Sequence, residues 1–172
     1  MKLLVALPCY NEAEKIQKVI QEIPSSFEGI DERRILVVDD GSADETASLA
    51  HEAGAVVIRH KVNKGLGQTF RDAVEYAVVH GFDIMVNMDG DGQFNSQNIA
   101  DLIAPILHNE ADFVTGSRFM TGREIPHMPP IKRWGNDRMT NLISRLCRRK
   151  FTDVSCGFRA YSRETLLKIN FH

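Results

Sequence analysis

The chain has 172 residues, 43% of them hydrophobic and 26% charged, enough for one ordinary globular domain that buries about 70% of its unfolded surface. No run approaches the roughly 18 apolar residues of a membrane span, and the apolar start Leu3 to Leu7 stops at Pro8, too short for a secretory signal, so a cytoplasmic, soluble domain is expected. The net charge of -2 conceals 9 basic against 19 acidic residues through Ser117 and 12 against 4 beyond it, so the late basic stretch is either a solvated face or a receiver of phosphates or anionic headgroups.

Short β-rich apolar runs alternate with helical patterns, the signature of βαβ units around a mostly parallel sheet. Strands are predicted at Lys2 to Leu7, Arg34 to Val38, Ala55 to Arg59, Asp83 to Met88 and Asp112 to Thr115. The first helix is expected to start at Asn11 as N-cap with Glu14 three residues on, and Ser42 with Glu45 repeats that capping-box pattern. Further helices are predicted from Leu66 to Val79, Ser96 to Leu107 and, strongly basic, about Arg133 to Arg149. The last carries Trp134, Met139, Leu142, Ile143 and Leu146 at amphipathic spacing, which is expected to pack on the core more readily than on lipid. One α/β, Rossmann-like domain across residues 1–172 is the expectation. Cys9, Cys147 and Cys156 contain no C-x-x-C pair, so neither a disulfide framework nor a zinc site is suggested. The six histidines are scattered and read as structural.

In an open parallel sheet, ligands collect at the carboxyl ends of the strands. Those positions hold Pro8, Tyr10, Asn11 and Glu12 after the first strand, Asp39, Asp40, Gly41 and Ser42 after the second, and Asp89, Gly90, Asp91, Gly92 and Gln93 after the fourth. Gly116, Ser117 and Arg118 follow the fifth. Acidic clusters converging on one edge repel unless a cation lies between them. Asp89 and Asp91, flanking one glycine, suit a hard ion such as Mg2+ or Mn2+ that neutralises a diphosphate. Alone, such a pair is more often a turn. A calcium loop fails because Asn98 stands where a bidentate Glu is required. Asp39 and Asp40 suit a base or ribose, or serve as an acidic start to the following helix. Lys64-Gly65-Leu66-Gly67 resembles a phosphate-binding turn without completing either glycine motif, and reads mainly as a loop and helix start.

The segments Pro8-Cys9-Tyr10-Asn11-Glu12, Val37-Val38-Asp39-Asp40-Gly41-Ser42, Asp89-Gly90-Asp91-Gly92-Gln93, Gly116-Ser117-Arg118 and Ser155-Cys156-Gly157-Phe158-Arg159 occur in the order seen in family 2 glycosyltransferases. Over nearly its whole length the chain resembles the branch of dolichyl-phosphate mannose synthases and bacterial polyprenyl-phosphate glycosyltransferases. The resemblance implies the GT-A fold and inverting, metal-dependent sugar transfer from a nucleotide-diphosphate donor to a polyprenyl phosphate. It implies that Pro8, Tyr10, Glu12, Val37 and Asp39 or Asp40 surround the nucleoside, with Asp89 and Gly90 also at the donor. Asp89, Asp91 and Gln93 then hold metal and diphosphate, while Asp91 and Arg118 act at the reacting phosphates. Lys132, Arg133 and Asn136 fall where the branch meets its acceptor phosphate, although Trp134-Gly135-Asn136-Asp137-Arg138 departs from the Ser-Arg-Gly or Ser-Lys-Gly usual there.

A phosphate acceptor is already ionised and needs no strong base. For a hydroxyl acceptor, as in polysaccharide synthesis, Asp153 is the candidate base. Peripheral contact of the basic helix with the inner face of an anionic membrane is the alternative to its packing on the core. Relatives of this branch continue past the Cys-Gly-Phe-Arg motif, so the chain is expected to stop short of a full catalytic domain. A nucleotidyltransferase calls for a glycine-rich basic loop after the first strand, which Pro8 to Glu12 is not. A non-catalytic nucleotide-binding module is the other alternative. Nucleic acid is disfavoured by the acidic half and the lack of an aromatic stacking platform.

Overall fold

The computed structural model describes residues 1–117, 130–148 and 150–169, with the side chains of residues 130–133, 136 and 137 outside that description. Met1–Val114 with Phe158–His172 forms one compact unit, and Thr115–Gly157 a second.

The first unit is built on a six-stranded sheet of order β3-β2-β1-β4-β6-β5. Strands β1 (Lys2–Cys9), β2 (Glu32–Asp39), β3 (Val56–Arg59) and β4 (Ile84–Asn87) are mutually parallel, whereas β6 (Arg159–Ser162) runs antiparallel to β4, and β5 (Phe113–Thr115) closes the far edge. Leu3 to Leu7 are wholly buried, as a strand covered on both faces demands, and this explains the unbroken apolar run of β1. Leu4, Ala6, Leu36, Val38 and Met85 meet Ala73, Val74 and Ala77 of α3 (Leu66–Val79) and Leu166 of α6 (Arg163–Ile169) in one core cluster. Leu3, Val5 and Leu7 point to the opposite face. There α1 (Ile16–Glu22) packs on α2 (Thr46–Glu52), because right-handed crossovers place helices on opposite faces when the direction of strand addition reverses. A 3-10 turn, Ser96–Asn98, leads into α4 (Ile99–Leu107).

Both predicted capping boxes are absent. The α1 N-cap is Lys15 and the α2 N-cap is Glu45, neither with a side-chain cap. Instead Asn11 adopts φ 56° and accepts a bond from Ala43 N (2.9 Å), while its own N–H donates to Ser42 Oγ (2.8 Å). Two residues expected to start separate helices thus tie the β1 and β2 exits to each other, since short polar side chains serve any nearby backbone group.

In the second unit, α5 (Pro130–Cys147) ends at Arg148, whose φ of 51° gives the left-handed conformation common after helix ends. Phe151 N then donates to Ser144 Oγ (2.9 Å) and Thr152 Oγ1 to Ser117 Oγ (2.7 Å). The apolar stripe expected on α5 is present on the helix, and most of its members are exposed. Trp134 (61%), Met139 (50%), Leu142 (53%) and Leu146 (72%) are exposed, and among the described side chains of α5 only Thr140 is buried. Ile143 is half-buried.

Candidate active site

Three parallel neighbours, β2, β1 and β4, bring their carboxyl ends to one edge. Cys9 pairs with Asp39 across β1 and β2, and Ala6 with Asn87 across β1 and β4. The chain adds β2 and β3 on one side of β1 and then returns to place β4 on the other. The β1/β4 boundary is therefore the switch point where an open α/β sheet leaves its crevice. Tyr10 to Glu12 exit on one side of it and Asp89 to Gln93 on the other.

The carboxylates there act on each other through space. The Cys9 thiol, 3% exposed, is pushed far above its ordinary range, first by burial and then by the fields of Glu12, Asp39, Asp89 and Asp91. Glu12 is raised by desolvation and by Asp91 and Asp44, with Lys15 opposing. One buried sulfur thus senses acids from the ends of all three strands, a concentration of negative field that suits a cation. Gly90 is where the chain must close over that sulfur: a Cβ built there lies 2.4 Å from Cys9 Sγ.

Each predicted residue has a definite environment. Tyr10 is half-exposed, and Pro8 and Glu12 are partly covered; Glu12 N donates to Thr46 Oγ1 (2.8 Å). Val37 is wholly buried inside β2, so the structure does not bring its side chain to the edge with them. Asp39 is also buried; its Oδ1 accepts from Ser42 N (3.0 Å), while Oδ2 lies 3.1 Å from Arg59 Nε but accepts no aligned hydrogen bond. Asp40 is committed to protein: Oδ1 takes Lys64 N (2.8 Å) and His60 Nδ1 (2.6 Å), and Oδ2 takes Gly65 N (2.8 Å). Of the two neighbouring acids, Asp39 therefore keeps the freer oxygen. Asp91 Oδ1 accepts from Gln93 N (3.0 Å), which folds the turn back and leaves the exposed Gln93 beside the pair. Arg118 lies outside the described residues, as do the side chains of Lys132, Arg133 and Asn136.

Arg59, His60 and Asp72 escaped the sequence reading. The parallel register Asp39 with Arg59 explains the first, but that register becomes visible only once strand order is known. His60 gives no local signal at all.

Among the described residues no group of three or more His, Cys, Asp or Glu is arranged to hold a metal. The donor chemistry nevertheless fits a divalent ion, since Mg2+-type sites commonly use one or two carboxylates and complete their shell with substrate phosphates and water.

A six-stranded, mostly parallel sheet with acids at its switch point is the architecture of GT-A glycosyltransferases, and the comparisons agree. The chain belongs to glycosyl transferase family 2, whose profile matches residues 4–169. It is 29% identical over 181 residues to a UDP-N-acetylglucosamine–dolichyl-phosphate N-acetylglucosaminyltransferase from Methanococcus voltae, covering 95% of this chain and 70% of that protein. It is 31% identical over 176 residues to a polyprenol monophosphomannose synthase from Mycolicibacterium smegmatis, covering 98% and 64%. Among solved structures, glucosyl-3-phosphoglycerate synthase from Mycobacterium tuberculosis, in complex with Mn2+, UDP-glucose and phosphoglyceric acid, superposes with a TM-score of 0.72 at 25% identity, covering 95% of this chain and 57% of that one. The chain thus spans 57% to 70% of the lengths of these proteins. No helix among the described residues is long and apolar enough to cross a membrane.

Proposed function

We propose that this chain forms the donor-binding part of an inverting, metal-dependent glycosyltransferase that moves a sugar from a nucleotide diphosphate to a polyprenyl phosphate. The observation that carries this reading is the convergence of the β1, β2 and β4 exits, with Glu12, Asp39, Asp89 and Asp91, on one edge at the switch point. Asp39, with Pro8, Tyr10 and Glu12 around it, receives the nucleoside. Asp89 and Asp91, with Gln93, hold a divalent ion and through it the diphosphate. When bound, that ion supplies charge neutralisation on the departing diphosphate. Arg118 is assigned to the same charge, and Lys132, Arg133 and Asn136 to the acceptor phosphate.

The state of Asp153 favours a phosphate acceptor over a hydroxyl. A base must reach the proton it removes, yet Asp153 is 1% exposed and its Oδ1 accepts from both Ser155 N (3.1 Å) and Oγ (3.2 Å). An acceptor that arrives ionised needs no such group. The exposed apolar side chains of α5 alternate with Arg138 and Arg145, and Arg138 lies 5.1 Å above the Trp134 ring. This pattern suits a helix resting on an anionic membrane, with arginines snorkelling past buried apolar side chains.

The test is the shift in melting temperature with UDP, GDP, dTDP and CDP, each with and without Mn2+, on this chain and on an Asp89→Ala, Asp91→Ala variant. A metal-dependent shift for one nucleotide, abolished in the variant, is expected. A shift that persists in the variant removes the metal assignment, and no shift with any nucleotide removes the donor site.

A further inference from the structure

The turn after β3 is fastened to the donor edge by an arrangement that the proposed chemistry does not use. His60 is buried, its side chain 4% exposed, and both ring nitrogens face carboxylates: Nδ1 lies 2.6 Å from Asp40 Oδ1 and Nε2 2.5 Å from Asp72 Oδ2. Asp40, at the end of β2, holds the amides of Lys64 and Gly65, and Asp72, on α3, takes Gln68 Nε2 (2.7 Å). The backbone of His60 donates to Asp39 O (2.8 Å), while Gly41, φ 76°, packs so tightly on Val62 and Asn63 that a Cβ there lies 2.7 Å from Val62 C. Residues 61–65 therefore form a wall beside Asp39, the acid assigned above to the nucleoside.

We propose that His60 is a positioning residue for this wall: as an imidazolium donating to Asp40 and Asp72 together, it holds the Lys64–Gly65 turn in its nucleotide-binding position. The inference rests on the donor-site reading. Its basis is a proton count. A neutral imidazole has one N–H and one lone pair, so it bonds one carboxylate and turns a lone pair on the other at 2.5 or 2.6 Å. With both carboxylates ionised, only a doubly protonated ring satisfies both. The charged groups facing the ring are Asp40 from β2, Asp72 from α3 and Lys64 from the turn itself. Burial and Lys64 oppose its charge, but the bonds from the two acids outweigh them and raise its pKa above the ordinary histidine value. Loss of the Nδ1 proton leaves Asp40 facing a lone pair, and Asp40 then no longer keeps a fixed orientation for the two amides.

The experiment follows, on the full chain, the ring nitrogens of His60 by NMR, the hydrogen-exchange protection factors of the Lys64 and Gly65 amides, and the affinity for whichever of UDP, GDP, dTDP or CDP binds with Mn2+. Each is measured from pH 6 to 9.5 for the natural chain, His60→Gln and Asp72→Asn. Expected are a doubly protonated ring at pH 7, and protection and affinity that fall together as the ring titrates. His60→Gln should be weaker by about tenfold or more at pH 7, with a flat pH profile. Asp72→Asn, which retains the histidine, should move the fall to lower pH. A folded His60→Gln with natural protection of both amides overturns the proposal, as does protection in Asp72→Asn that ignores the ring's titration. Absence of binding by all four nucleotides counts against the donor-site reading, while the amide data still decide the role of His60.

Discussion

Replacing Gly90 with alanine tests whether the acidic turn after β4 is shaped by the sulfur beneath it. The φ of Gly90 is not in the left-handed region, so the cost is steric: the new Cβ falls 2.4 Å from Cys9 Sγ, where ordinary contact begins at 3.4 Å. The nearest other atoms, Pro8 O at 3.6 Å and Ile16 Cδ1 at 3.7 Å, are tolerable. One group must therefore move by about 1 Å, and because Cys9 is fixed in β1 the turn carrying Asp89 and Asp91 is the softer side. Overpacking of this kind costs about 1 to 3 kcal/mol, or about 2 to 12 °C in melting temperature at 2 to 4 °C per kcal/mol for a chain of this size. Removing the sulfur removes the clash, so Gly90→Ala combined with Cys9→Ala should be more stable than the two single costs imply, with a coupling of about 1 kcal/mol or more. Urea denaturation of the four proteins gives the cycle. Additive costs, or a Gly90→Ala protein as stable as the parent, refute the reasoning.

Gly41→Ala meets backbone rather than a side chain, and at positive φ, so a loss of about 2 to 4 kcal/mol is expected in urea denaturation. The sign of the His60 contribution to stability follows from its raised proton affinity. It is fully present below the free value of about 6.5, and is lost as pH rises through the higher folded value. The difference in unfolding free energy between the natural chain and His60→Gln should accordingly shrink on the alkaline side, and a difference that grows there contradicts the assignment. Trp134, the single tryptophan of the chain, should shift its fluorescence to the blue on addition of phosphatidylglycerol vesicles at low salt. Leu142→Asp should weaken that response, and an unchanged spectrum would exclude α5 as a membrane contact.

The strands of the parallel core were legible because burial on both faces forces continuous apolar runs, and those runs end at the acids. The α3 boundaries were legible as well, its helical spacing being uninterrupted from Leu66 to Val79. β6 was not, since Arg159-Ala-Tyr-Ser buries only its two central residues and presents charge and hydroxyl at its ends. The helix caps failed for a different reason. Asn11 and Ser42 have the right chemistry for capping, but partners 31 and 32 residues away compete for it, and nothing local in the sequence reveals them. The same holds within the site. Asp39 and Asp40 are adjacent and chemically identical, yet the turn from His60 to Gly65 occupies one and leaves an oxygen of the other without an aligned partner. In α5 the periodicity was correct, but periodicity alone does not say which medium the apolar stripe meets.

The antiparallel strand β6 has a consequence for how such a chain can diversify. The chain leaves the sheet at β5 and re-enters it at β6, the adjacent position, so both ends of the 115–157 segment are anchored on neighbouring strands. A segment held in this way behaves as a cassette. Lengthening it adds only a logarithmic closure term, about 0.6 kcal/mol for each doubling of a flexible loop, and leaves the β1, β2 and β4 exits untouched. Evolution can therefore rewrite one portion of the molecule while the acidic edge stays fixed, and a recombined chain spliced at Val114 and Phe158 should inherit its nucleotide preference from the sheet rather than from the insert.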